Sequence, residues 1–210
     1  MIGPIPKDLE NLYDKANLRQ KLYVKLRWRL CPFEEVEKYV PRKGKILDLG
    51  CGYGILANLM ALKSKEREVL GIDGSAERIA VAKLSIGDRK NIQFFSQDIK
   101  DVAPGSCRGA VMTDFLHHIP LAVSKNLFKI IYEKLASDGT LVIQDADNFP
   151  RWKYFCSLLV DTSLNIGKPL YYRSAFEWKK TLEDFGFRVA IAKAQKDLPF
   201  PDIILICEKL

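Results

Sequence analysis

Several things are missing from this chain, and each absence narrows what it can be. Its 210 residues contain no internal repeat and no low-complexity tract, which sets aside solenoids and long disordered arms. No apolar run approaches the roughly 18 residues that a membrane-spanning helix needs. The opening stretch, MIGPIPKDLENLYDK, lacks the apolar centre of a secretory signal, so a cytoplasmic protein is expected. There is no Cys-x-x-Cys pair. The five cysteines, Cys31, Cys51, Cys107, Cys156 and Cys207, are odd in number and widely spaced. They read as reduced, mostly buried thiols rather than as a zinc site or a redox pair. The GxxxxGK[ST] phosphate loop is absent. Histidine is scarce: there are two, His117 and His118, and they are neighbours.

What is present is ordinary globular material. Hydrophobic residues make up 48% and charged residues 28%, enough for one α/β domain with a single core. The net charge of +7 would suit nucleic acid, an anionic membrane or an acidic substrate, and is read first as a lysine-rich solvated surface.

Strand-like and helix-like stretches alternate. Strands are expected at 45–51, 68–73, 92–96, 108–115 and 140–145, with helices at 55–63, 76–85 and 121–135 between them. The third of these helices is expected to stop at Ser137-Asp138-Gly139. A helix at 174–185 and strands at 187–192 and 203–208 come last. This rhythm predicts a doubly wound, mostly parallel sheet, with the last two strands adding an antiparallel piece at one edge. Two pieces fall outside it. Residues 1–39 are helical in pattern, and residues 148–172 are an insertion after the fifth strand, where a ligand site is expected.

The most unusual stretch is LDLGCGYG, residues 47–54, with glycine at every second position after a strand. Glycines between a strand and a helix let backbone approach a ligand and aim helix N–H groups at it. A dinucleotide fingerprint would require a small residue at 55, where Ile55 stands. Asp73, in GID, ends the second strand and offers a carboxylate to a ribose diol. Asp98, in SQDI, lies just after the third strand and could accept from an adenine amino group, and TDFLHHI, residues 113–119, lies at the end of the fourth. All of these lie at carboxyl ends of successive strands and point into one crevice.

Together, LDLGCGYG, GID, QDI and DFLHHI resemble the class I S-adenosylmethionine-dependent methyltransferases of the small "type 11" sort, over roughly residues 40–210. The resemblance implies S-adenosyl-L-methionine as cofactor. It also implies an α/β, Rossmann-like seven-stranded sheet with an antiparallel edge strand, with residues 1–39 as a helical lid. By position, Asp48 would help hold the cofactor's amino group. The loop residues Gly50, Cys51, Gly52 and Gly54 would bring backbone against its methionine part. Asp73, with Gly74 beside it, would bind the ribose hydroxyls, and Asp98 and Ile99 the adenine. Asp114 and Phe115 would lie near the sulfonium.

Methyl transfer from a sulfonium is an in-line displacement in which alignment can be worth ~7–11 kcal/mol. A base is needed only if the acceptor must lose a proton. His117 or His118 could serve, since neutral imidazole is available near neutral pH; equally, the pair could simply order the loop. Asp145, Asp147 and Asn148 after the fifth strand, with Asp114 after the fourth, offer two aspartates and an asparagine that resemble a magnesium set, but a metal-free reaction is expected. No NPPY or DPPY stretch stands after the fourth strand and no cytosine-C5 proline-cysteine pair is present, so nucleic acid is not the expected partner.

The remaining clues concern the acceptor. In LRQKLYVKLRWRLCPF, Leu18, Leu22, Leu26 and Leu30 form one helical stripe beside Lys21, Lys25 and Arg29. The stripe could lie on an anionic membrane surface or pack on the sheet as a lid. The insertion, RWKYFCSLLV at 151–160 and KPLYYR at 168–173, is aromatic and basic. A small hydrophobic or lipid-like acceptor with an acidic or phenolic group is the expected substrate. An RNA-modifying enzyme, or a non-catalytic cofactor- or RNA-binding protein of the same fold, is the alternative.

Overall fold

The computed structural model describes residues 3–102, 105–164, 169–194 and 200–209. Seven strands form one sheet: β1 (Gly44–Leu49), β2 (Arg67–Asp73), β3 (Ile92–Ser96), β4 (Cys107–Thr113), β5 (Leu135–Ala146), β6 (Phe187–Lys193) and β7 (Asp202–Lys209). Their order is β3-β2-β1-β4-β5-β7-β6. The chain therefore builds outward from β1 in one direction, then returns to start again at β4. Between these central strands lies the topological switch point, where open α/β sheets hold their ligands. β7 is the antiparallel member, inserted between β5 and the outermost β6.

The strands arise where apolar, β-branched runs can be buried on both faces. On β1, Ile46 joins one core cluster while Leu47 and Leu49 join the other. Helices α4 (Ile55–Lys63) and α5 (Ala76–Leu84) supply the first face, and α6 (Leu121–Lys134) and α8 (Ala175–Glu183) the second. Ser75 caps α5 by accepting from the Arg78 amide. Ser174 and Glu177 form a capping box on α8. Helix α6 stops where expected to within one residue, but Ser137-Asp138-Gly139 is not a separate turn. Strand β5 begins at once at Leu135. The step from Cys107 to Gly109 on β4 is matched on β5 by the longer step from Leu135 to Thr140. The supposed stop signal is a bulge. Among the described residues no helix is long and apolar enough to cross a membrane.

The N-terminal segment folds as α1 (Lys7–Asn11), α2 (Leu18–Leu30) and α3 (Phe33–Tyr39). It shares the first core cluster: Leu9, Tyr13, Val24 and Trp28 are buried against the same helices as the sheet. Of the leucine stripe, Leu30 alone packs against the first core cluster, half-buried. Leu18, Leu22 and Leu26 are 84%, 65% and 52% exposed, and it is Val24 and Trp28, one turn apart, that face inward. The reason is that Trp28 buries more area than any leucine and its indole N–H finds the Gly3 carbonyl at 3.1 Å, which sets the rotation of the helix.

A buried ion pair fastens this segment to the sheet. Arg67, at the start of β2, donates to Glu37 of α3 at 2.6 Å, and to the carbonyls of Pro41, Met60 and Val40 at 2.7, 3.0 and 2.8 Å. Removing one member of a buried pair leaves the other charged and uncompensated. Glu37→Ala should therefore lower unfolding stability by about 3–5 kcal/mol, read by denaturant titration. A loss below about 1 kcal/mol would show that Arg67 finds sufficient solvation from the three carbonyls alone.

Candidate active site

A cavity of about 910 Å³ opens at the carboxyl ends of β1, β2, β4 and β5, roofed by α2 and by α7 (Arg151–Leu164) of the insertion. The glycine loop forms its floor. Gly50, Gly52 and Gly54 all have left-handed φ, of 77°, 55° and 75°. The loop turns back on β2, the Gly50 and Cys51 amides donating to the Ile72 carbonyl at 2.8 and 3.1 Å. The three glycines answer to different neighbours. A Cβ on Gly50 would meet the Phe115 ring at 2.4 Å, and one on Gly54 the Phe94 ring at 2.5 Å. Gly52 and Gly74 would meet nothing within 4 Å. Of these four, Gly52 and Gly74 look out on open space, while Gly50 and Gly54 are required by the protein's own aromatics.

Most of the expected site residues converge on this cavity. Gly50, Cys51, Gly52, Asp73 and Gly74 line it from the β1 and β2 ends. Asp114, Phe115, His117 and His118 line it from the β4 end. Asp73 is fixed by two amides, Gly52 N–H at 2.9 Å and Ser75 N–H at 2.8 Å. Four residues stand elsewhere. Asp48 is buried behind the loop, Gly54 starts α4, and Asp98 is exposed, accepting from the Lys100 amide at 2.9 Å. Ile99, half-buried, packs on the second core cluster. Asp98 and Ile99 are thus not among the residues lining the cavity.

Asp114 sits at φ 47°, a conformation aspartate tolerates better than most residues. Arg27 pairs with it at 2.9 Å, the Cys31 thiol donates to it at 3.0 Å and the Gln144 amide at 2.8 Å. Burial alone would raise this carboxyl, but Arg27, Cys31 and His117 together hold it below the usual range. Next to it, Asp145 grips His117 twice. One oxygen accepts the His117 amide at 3.1 Å and the other meets ring Nδ1. The Tyr172 ring stacks on His117 at 5.0 Å, and the Tyr171 amide donates to the His117 carbonyl at 2.8 Å, so the insertion is docked on this histidine. His118 differs: burial first, and then the neighbouring His117, lowers its imidazole to about 3. Asp202, at the start of β7, also lines the cavity; burial and then the charges of Asp114 and Asp145 push its carboxyl well above the usual range.

Asp145, Arg27, Cys31, Gln144 and Asp202 were not expected in these roles. For Asp145 and Gln144 a signal existed: β4 and β5 run parallel with Thr113 opposite Gln144, so the residues just beyond the two strands must meet. For Arg27 and Cys31 none existed without the rotation of α2. The acidic residues weighed as a magnesium set are otherwise engaged: Asp147 accepts the Asn148 and Ala175 amides at 2.8 and 3.1 Å, and Asp114 is held by Arg27. Among the described residues no three His, Cys, Asp or Glu side chains are grouped to hold a metal.

A family model described as a methyltransferase domain matches residues 19–190. The chain belongs to this methyltransferase family. Among its relatives, YqeM of Bacillus subtilis, named as a methyltransferase, is 31% identical over 54% of this chain and 47% of its own. A ubiquinone biosynthesis O-methyltransferase of Chromobacterium violaceum is 36% identical over 36% of this chain and 34% of its own. The matched parts therefore span less than half the length of these relatives. Solved structures share the fold. Magnesium protoporphyrin IX methyltransferase from Synechocystis, with bound SAH, has a TM-score of 0.68 at 17% identity, covering 97% of this chain and 93% of that one. Human N-acetylserotonin methyltransferase, in complex with SAM, has a TM-score of 0.72 at 16% identity, covering 96% of this chain and 55% of that one.

S-adenosylmethionine, which the human neighbour holds, fits the residues of this cavity. Gly52 and Gly74 leave room on the cavity floor, and the two Asp48 oxygens, buried behind the loop, have no hydrogen-bond partner among the described residues. If the cofactor's ammonium group reaches behind the loop, it would give this carboxylate a cation. Burial first, and then the Asp73 charge, raise the Asp48 carboxyl to about 7, with the nearby Ala57 amide opposing. Asp48 must then lose a proton to pair with the ammonium group below that pH. Cofactor affinity measured by calorimetry should rise by up to about tenfold per pH unit from pH 5 to 7 and level off above. Asp48→Asn should flatten that profile; an unchanged profile would remove Asp48 from the site. Asp73→Ala should weaken cofactor binding by about 2–4 kcal/mol, because a charge-assisted acceptor and the anchor of the Gly52 amide disappear together. Unaltered affinity in that variant would defeat its assignment to the ribose.

Proposed function

We propose that the enzyme methylates an oxygen of a small, largely apolar acceptor, a phenol or carboxyl on a lipid-like, polyketide or quinone-type skeleton. The observation that supports this reading is the His117–Asp145 pair in the wall of a cavity otherwise rich in apolar side chains, among them Leu26, Leu30, Phe33, Leu159 and Phe200. Bound S-adenosylmethionine supplies an electrophilic methyl group on a sulfonium. The protein's own residues do the rest. Asp145 holds His117 Nδ1 as the N–H tautomer, so that Nε2 carries the lone pair and can take the acceptor's proton. His118, with its imidazole lowered to about 3, is a weak base and serves as neutral wall. The α2 roof and the insertion exclude water, which strengthens proton transfer and alignment alike. The relatives that carry the name ubiquinone biosynthesis O-methyltransferase favour a phenolic acceptor.

A transfer assay with labelled cofactor tests this against a panel of alkyl-substituted phenols and aromatic or polyene acids. His117→Ala should lower kcat by about 10²–10⁴-fold at unchanged cofactor affinity, with Asp145→Asn moving in the same direction and His118→Ala nearly neutral. Equal turnover by the His117 variant would show that the acceptor needs no base. Salt-sensitive RNA methylation with no turnover of the panel would replace the acceptor class altogether.

A further inference from the structure

We propose that the exposed apolar faces of α2 and α7 dock the enzyme on an anionic membrane surface and hold the cavity mouth against it. The inference rests on the apolar acceptor proposed above and adds where that acceptor is collected. Leu18, Leu22 and Leu26 on α2, and Trp152, Phe155 and Leu159 on α7, are each more than half exposed, as is Phe149 just before α7. Each set keeps helical spacing and makes one stripe. The stripes meet at the same place, because Leu26 of one and Leu159 of the other both line the cavity. So much apolar surface on two neighbouring helices is more than scattered exposure explains.

Charge decides what covers it. Helix α2 contains five cations, Arg19, Lys21, Lys25, Arg27 and Arg29, and no acid. Arg27 is committed to Asp114, Lys25 to Glu10 at 2.7 Å and Lys21 to Asp14 at 3.9 Å. On the helical wheel Arg29 falls between Leu18 and Leu22 and Arg19 beside Leu26; like Arg151 beside Trp152, they have no acidic partner within 4.0 Å among the described residues. An apolar ridge interspersed with unpaired guanidinium groups complements a surface that is apolar within and anionic at its face. A second copy of the chain would set arginine against arginine and is the poorer occupant.

The test is co-sedimentation of the full chain with vesicles of phosphatidylcholine alone and of phosphatidylcholine mixed with phosphatidylglycerol. Binding should require the anionic lipid and weaken as salt is raised. The double variant Leu22→Glu, Trp152→Glu changes only exposed positions, and should bind the anionic vesicles about tenfold or more weakly while keeping its cofactor affinity. Arg19→Glu with Arg29→Glu should do the same. Vesicle binding that persists although none of the apolar acceptors is turned over would support the docking surface and count against the acceptor reading alone. Absence of binding to anionic vesicles, equal binding by the double variant, or a self-association that Leu22→Glu abolishes would each overturn the proposal.

Discussion

The arrangement of the site depends on one ion pair, Arg27 with Asp114. Asp114, half-buried, closes β4 beside two buried acids, Asp145 and Asp202, and three neighbouring carboxylates disfavour being charged together without a cation among them. Arg27 supplies it from outside the sheet. Because a buried charge without its partner is costly, the helix that carries Arg27 has to be docked whenever β4 is in place. That requirement binds α2 to the cavity. It also aligns Cys31, whose thiol donates to the same carboxylate, and Gln144, which reaches it from β5.

Once Asp114 is neutralised, the remaining acids sort themselves by environment. Asp145 has His117. Asp202 Oδ2 has no hydrogen-bond partner among the described residues, and burial with the charges of Asp114 and Asp145 pushes its carboxyl upward against the pull of Arg27 and Gln144. Asp48 lies apart behind the glycine loop, with its carboxyl near neutrality. Asp114 is thus shifted downward while Asp202 and Asp48 are shifted upward, and the difference comes from burial and neighbours rather than from residue type. The sorting also distinguishes two adjacent histidines. The one with a carboxylate is gripped and oriented; the one without is kept neutral by burial and by its neighbour.

Much of the fold could be read from the chain because it is written in local signals. The alternation of apolar runs located all seven strands, and Ser75 and Gly186 marked helix ends that the structure keeps. The loop residues and Asp73 were legible because each ends a strand of a parallel sheet, and a parallel sheet gathers its strand ends on one side. The illegible part depended on rotation and on contacts distant in sequence. A wheel drawn on α2 favours the leucines as the buried face, since four of them align. The structure buries Val24 and Trp28 because the indole, not the leucine count, commands the larger area and the hydrogen bond. The Asp145 grip on His117 spans 28 residues, and the bulge at Ser137-Asp138-Gly139 carries the same residue types as a helix stop.

The same helix also brings the N-terminal segment against the glycine loop. A lid that merely covers an acceptor could be removed without touching the cofactor loop. Here the Tyr13 hydroxyl donates to the Tyr53 carbonyl within that loop at 2.9 Å and accepts from Asn58 of α4 at 2.9 Å. The Tyr23 ring rests 4.7 Å from that of Tyr53. Helix α2 therefore touches the cofactor loop through Tyr23, the end of β4 through Arg27 and the cavity mouth through Leu26. Loop, strand end and roof are coupled through one helix, so a force that shifts α2 at its exposed face acts on all three at once.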